Sequence, residues 1–209
     1  MARLQFGKAL KPASELIKTH EYLGTGLPDL DRLLSGGFIR GEISEIVGAV
    51  SAGKTSLAIA ALGQATARGE VVAYIDTCGI ADPASANQAG LDLTRLLWVR
   101  CDGSTEKALA AADILIRGGG FGMIVLDLTG PDDVQSQAKS HSHTWFRLKQ
   151  SLEGTRMVFL VVNPSPVSGG LASLVLGLNR REGLWEKCGM RNAECGMGGL
   201  RISDFGIRN

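Results

Sequence analysis

No sign of charge dominates this chain. Lysines and arginines number 22 against 21 aspartates and glutamates, so there is no overall electrostatic footprint for nucleic acid, and any such contact needs a local basic patch. Long hydrophobic runs are lacking too: stretches such as 157–162 and 171–178 fall far short of the roughly 18 apolar residues of a membrane span. Met1-Ala2-Arg3-Leu4-Gln5-Phe6 has no apolar core of a secretory signal, and a cytoplasmic protein is expected. Cysteines stand at 78, 101, 188 and 195 without a C-x-x-C pair, and histidines at 20, 141 and 143, so metal-ligand spacing is absent. Cys101 closes an apolar strand and reads as a small hydrophobe, Cys188 and Cys195 as reduced thiols, and Ser-His-Ser-His at 140–143 as a polar loop or helix start. There is no internal repeat and no low-complexity tract.

What is present is an ordinary globular composition, 44% hydrophobic and 21% charged over 209 residues, enough for one substantial core. Strand-like apolar runs alternate with helical ones: 43–47 then 54–68, 71–75 then 83–89, 96–101 then 104–117, 122–128 then 134–152, and finally 157–162. That alternation predicts an α/β fold with a mostly parallel central sheet. The early strands read as continuous Val, Ile and Leu, as a sheet covered by helices on both faces demands. Gly69 after Arg68 and Gly118-Gly119-Gly120 are helix stops, and Ser104 is an N-cap candidate. Beyond 163, Pro164, Pro166, Gly169 and Gly170 break the pattern, and 171–178, 183–187 and 199–207 read as short strands extending the sheet in antiparallel fashion.

The chemistry centres on Gly48-Ala49-Val50-Ser51-Ala52-Gly53-Lys54-Thr55, which spells G-x-x-x-x-G-K-T between the first strand and the first long helix. Successive N–H groups and the helix N-terminus converge on one spot, Lys54 adds a full positive charge, and the Thr55 hydroxyl completes a Mg²⁺ shell. Gly48, Ser51, Ala52, Gly53, Lys54, Thr55 and Ser56 are therefore the expected cradle for a nucleoside triphosphate. The second element is Met123-Ile124-Val125-Leu126-Asp127, an apolar strand ending in a carboxylate with the form of a Walker B strand. On a parallel sheet both strand ends open on one rim, so Asp127 is expected to hold a Mg²⁺-bound water beside Thr55.

Thr25-Gly26-Leu27, Leu30-Asp31, Gly36-Gly37, Gly41, Ile43 and Glu45-Ile46 ahead of the phosphate loop resemble the approach to that loop in RecA. Ala73-Tyr74-Ile75-Asp76, Asp82-Pro83, Gly90-Leu91-Asp92, Leu96-Leu97 and the run 108–117 continue the resemblance in order and spacing. It covers 23 to about 178 and is specific over 25–130; afterwards only Ser168-Gly169-Gly170-Leu171-Ala172 is similar to the end of RecA's second DNA-binding loop. The resemblance implies a RecA-like P-loop core with ATP and Mg²⁺ as cofactors, occupying 23–209 after an arm at 1–22.

The departures bear on function. Asp76-Thr77-Cys78 puts a cysteine where the family's Asp-x-Glu pattern has its catalytic Glu, and a neutral thiol cannot polarise the attacking water as a carboxylate does. Asp76 is the nearest carboxylate and is the expected substitute, acting through a water. Asp82 matches the family's adenine-contacting Asp, while Ser85 stands at the position of the aromatic that stacks on the base. Asn163-Pro164-Ser165 replaces the Asn-Gln run that senses the γ-phosphate, leaving Asn163 as the candidate. The loops at 129–142 and 164–170 are short for engaging DNA, and a counterpart of RecA's separate carboxyl-terminal domain is not expected.

A reduced RecA-like chain of this kind is similar to the ImuA family, accessory proteins of damage-induced mutagenesis. That resemblance implies partnership with an ImuB-like scaffold protein, an error-prone polymerase and RecA, although the intact phosphate loop here departs from many members. Recombinase paralogues and circadian-clock-type ATPases share Thr25-Gly26 and Gly36-Gly37. Three functions stay open: an ATPase using Lys54, Thr55 and Asp127, an ATP-dependent binding module, and a recombinase on single-stranded DNA. Weak DNA contact would fall to Lys139, Arg147, Lys149 and Arg156, or better to Arg180, Arg181, Lys187 and Arg191 around Trp185. The arm carries Leu4, Phe6, Leu10, Leu16 and Ile17, split by Pro12, and either docks on a partner or a second copy in self-association, or folds back on its own core.

Overall fold

Each central strand is apolar at nearly every position, and since alternate side chains face opposite ways, such a strand must be covered on both sides. The computed structural model, which describes residues 20–179 and 205–208, meets that requirement with one large sheet between two helical layers. In chain order the elements are β1 (Tyr22–Leu23), α1 (Pro28–Leu33), β2 (Phe38–Ile39), β3 (Ile43–Gly48), α2 (Lys54–Ala67), β4 (Val72–Asp76) and α3 (Pro83–Gln88). They continue as β5 (Leu96–Arg100), α4 (Thr105–Gly118), β6 (Met123–Asp127), α5 (Asp132–Ser140), α6 (Ser142–Leu152), β7 (Val158–Asn163), β8 (Leu174–Leu178) and β9 (Phe205–Arg208). The large sheet runs β5-β4-β6-β7-β3-β8-β9, with only the β8–β9 pair antiparallel, and β1 and β2 form a small antiparallel pair beside it.

One face packs α2, through Leu57, Ala58, Ala61, Leu62 and Ala65, against Ile46, Tyr74, Val125 and Leu160. The small alanines let the helix lie close to the strands. The other face is covered by α4, α5 and α6, whose Leu109, Ile116, Ala138, Trp145 and Leu148 meet Ile75, Ile124 and Phe159. Helix α4 starts where expected, with the Ser104 hydroxyl accepting from Lys107 N at 3.3 Å. At the amino ends of the strands, the nearly buried Arg40 guanidinium binds Glu70 at 2.6 Å and the carbonyl of Arg156 at 2.5 Å, tying three connections together.

Three expectations need correction. The helix read over 134–152 is two helices, α5 and α6, broken at His141, where ψ is +45°. Trp145 donates its indole N–H to the Ala138 carbonyl at 2.9 Å. On a straight helix those residues lie about 10 Å apart along the axis, so the break is what lets the buried indole find its partner. For the same reason 129–142 is not a loop: α5 fills most of it. Third, Leu174–Leu178 does not extend the sheet in antiparallel fashion; it pairs parallel to β3, from Ser44↔Leu174 to Gly48↔Leu178, while β9 supplies the antiparallel edge. Parallel neighbours normally need a long, usually helical crossover. Here the Pro- and Gly-rich link 164–173 makes the crossing without a helix, held by the fully buried Glu45, whose carboxylate accepts from Val167 N at 3.1 Å and Ser168 N at 2.8 Å. Most of the expected arm, the segment 183–187, and the cluster Arg180, Arg181, Lys187 and Arg191 lie outside the described residues, as do Cys188 and Cys195.

Candidate functional site

The phosphate loop leaves β3 through Gly48, where φ is +152° and a Cβ would stand 2.2 Å from the Leu178 carbonyl oxygen. Only glycine fits there. Ser51 at φ +62° and Gly53 at φ +89° complete the turn into α2. Gly53 caps α2 without a side-chain acceptor, so the first N–H groups of the helix keep their donors for another partner. Lys54 is 4% exposed and its Nζ donates to the carbonyls of Gly48 at 2.9 Å and Ala49 at 2.7 Å. Burial pulls its pKa below the ordinary lysine value, and the Asp127 carboxylate partly restores it. A desolvated cation at the mouth of a helix N-terminus is chemistry suited to phosphate. Ala52 is buried, Ser51 and Ser56 are exposed, and Thr55 lies between.

Asp127 comes from β6, two strands away from β3 with β7 between, and reaches the same rim. Its Oδ2 accepts from the Thr55 hydroxyl at 3.4 Å and the Tyr74 hydroxyl at 2.5 Å, and its Oδ1 accepts from Thr129 N at 2.8 Å. Burial foremost, then the Asp127 charge, pushes the Tyr74 phenol far above its ordinary pKa, so it remains a donor. Among the described residues no group of three or more His, Cys, Asp or Glu is arranged to hold a metal by itself. Thr55 and Asp127 fit Mg²⁺ in the other way, as two hard oxygen donors beside a place for phosphates, with waters filling the remaining positions.

Asp76 does not fit the expected role of substitute base. It is 3% exposed and accepts from Gly79 N at 2.7 Å, Ile80 N at 3.2 Å and Ala81 N at 3.3 Å. Three of a carboxylate's roughly four acceptor sites are thus spent on the turn after β4. Cys78 sits on that turn, half-buried, with its Sγ 2.4 Å from where a Cβ on Gly130 would stand, so the thiol lies against the exit of β6. Asp82 is exposed and caps α3, accepting from Ser85 N at 2.9 Å and from the Ser85 hydroxyl at 2.7 Å. Those bonds, the Ser85 hydroxyl first, hold its carboxyl below the usual range. Asn163 is fully buried, pairs with Val47 just before the phosphate loop, and gives its amide N–H to Ser165 O at 2.6 Å. Sequence reasoning missed the parts played by Tyr74 and Glu45. The available signal for Tyr74 was its place two residues before Asp76, on the strand face that Asp76 shares. Among the described residues no helix is long and apolar enough to cross a membrane.

A glycine loop between strand and helix, facing a carboxylate across a parallel sheet, defines a P-loop α/β domain. The RecA N-terminal domain matches residues 5–163, and the chain belongs to that family. It is 39% identical to Protein RecA of Bifidobacterium breve over 122 residues, 58% of this chain and 31% of that one. It is 33% identical to Protein RecA of Nocardioides sp. over 175 residues, 76% of this chain and 50% of the relative. Protein RecA of Rickettsia massiliae is 33% identical over 157 residues, 68% of this chain and 46% of its own. The chain thus spans between about a third and a half of the length of these relatives.

Proposed function

We propose that this chain binds ATP with Mg²⁺ at residues 48–56 and serves DNA repair as a nucleotide-dependent accessory that works through protein partners. The observation that carries the nucleotide reading is the gathering of Lys54, Thr55 and Asp127 around the donor-rich start of α2. Lys54 would exchange its two carbonyl partners for β- and γ-phosphate oxygens, the α2 N–H groups would bind the phosphates, and Thr55 with Asp127 would hold the cation. Bound Mg²⁺ neutralises charge on the phosphates. The repair context rests on the likeness to proteins named RecA.

The accessory reading is supported by Cys78, which stands where the family pattern has its catalytic Glu, and by the commitment of Asp76 to backbone. Both point to slow hydrolysis, weak or DNA-stimulated, and to ATP acting as a conformational ligand. An ImuA-like role in error-prone translesion synthesis, beside an ImuB-like scaffold, an error-prone polymerase and RecA, is the particular form of this proposal. A second reading, a recombinase paralogue or DNA-dependent ATPase on single-stranded DNA, is favoured by the identity to RecA extending through 175 residues. Nucleotide titration with and without single-stranded DNA, scoring binding and turnover separately, tests the site. Pull-down with ImuB-like and RecA partners, set against strand exchange, tests the role: strand exchange by the purified protein alone, without partner association, would overturn the accessory reading.

A further inference from the structure

Tyr74 lies on β4 directly across from Val125 of β6, and Asp76 directly across from Asp127. Two residues of strand rise about 6.6 Å, roughly the reach of a tyrosine side chain. A tyrosine leaning along the strand from the level of Val125 therefore brings its hydroxyl to the level of Asp127. The hydroxyl meets Asp127 Oδ2 at 2.5 Å, while the ring is backed by Trp98 of β5, with centroids 5.1 Å apart and planes tilted by 45°. Tyr74 is 1% exposed, so its hydroxyl is shielded from solvent. The oxygen that receives it is the one that faces Thr55, 3.4 Å away. A phenylalanine would fill the same apolar space against α2 and lack only the donor.

We infer that Tyr74 is a positioning residue for the metal half of the nucleotide site. Its hydroxyl, together with Thr129 N on the other oxygen, fixes the plane of the Asp127 carboxylate so that Oδ2 stays turned toward Thr55. The inference rests on the nucleotide reading above and assigns a further residue to it. Without the phenolic donor, the carboxylate can rotate about its last bond, and orientation toward a cation beside Thr55 is lost. Partners that orient a metal-holding group typically contribute tenfold or more to metal affinity.

The test is the gain in ATP affinity that Mg²⁺ produces, measured by titration calorimetry in the presence of Mg²⁺ and of EDTA, for the parent protein and for Tyr74→Phe. The expected result is a gain reduced about tenfold in Tyr74→Phe, and a changed electron paramagnetic resonance spectrum when Mn²⁺ replaces Mg²⁺. Adding Asp127→Asn to Tyr74→Phe should then cost less than the sum of the two separate losses, because both act through one carboxylate. An unchanged Mg²⁺ gain, an equal loss with and without the cation, or full additivity with Asp127→Asn would each overturn the inference while leaving ATP binding standing. A parent protein that binds no ATP, or a Lys54→Ala variant that binds it equally well, would remove the nucleotide reading itself.

Discussion

Asp76 and Asp127 stand directly opposite each other on adjacent parallel strands, and their carboxylates serve different ends. Asp127 meets Thr55 and Tyr74, while Asp76 turns to the three N–H groups of 79–81. One neighbour faces the phosphate loop and the other holds the turn that carries Cys78.

Lys54→Ala should lower ATP affinity by about tenfold to a hundredfold, since a charge-assisted contact to phosphate contributes roughly 1.5–3 kcal/mol. Calorimetric titration of the two proteins measures the difference. Equal affinities would place the nucleotide elsewhere.

Asp76→Ala should act on stability. Removing a buried carboxylate that accepts three backbone N–H bonds leaves those donors unpaired, and a loss of about 2–3 kcal/mol is expected. Urea unfolding gives the loss directly. A variant of unchanged stability whose residual ATP turnover vanished would return Asp76 to the role of base.

Cys78→Glu should raise ATP turnover, because a carboxylate on this turn can orient and polarise water where a thiol cannot. The residue lies against Gly130, where a Cβ would stand 2.4 Å from the present sulfur. Steady-state phosphate release by parent and variant decides the matter, and a folded variant with no increase would mean that another feature, such as the replaced γ-phosphate sensor near Asn163, limits the rate.

Cys101 should resist alkylation in the folded protein. It is 2% exposed, and burial, with Asp102 and Asp76 nearby, pushes its thiol pKa up. The unfolded thiol ionises at lower pH than the folded one, so its contribution to stability is complete below the unfolded pKa and is lost as pH rises through the folded one. Peptide mapping after iodoacetamide at increasing pH should show Cys78 modified before Cys101; the reverse order would contradict the packing described.

DNA binding, where it occurs, should be weak and salt-sensitive, each neutralised phosphate of a single strand adding about −0.7 to the log–log salt slope. Replacing Arg180 and Arg181 together should flatten that slope. Fluorescence anisotropy across a salt series reads it, and an unaltered slope would clear both residues of phosphate contact.

Much of the architecture was legible in the chain because it follows from local rules. Glycine loop, apolar strand and helix start each depend on a few consecutive residues, and short runs of Val, Ile and Leu alternating with helical segments read as strands covered on both faces. What only the tertiary structure decided involves residues distant in sequence. The parallel direction of Leu174–Leu178 goes with Glu45 accepting from Val167 N and Ser168 N in the crossing link, and the break at His141 with the indole bond from Trp145 to the Ala138 carbonyl. The partnership of Tyr74 with Asp127, and the diversion of Asp76 to its own turn, depend on strand register. Register is set by the packing of whole faces, and a shift of one residue would turn every side chain to the other side; the sequence by itself named the groups that carry charge, and packing chose which of them meet.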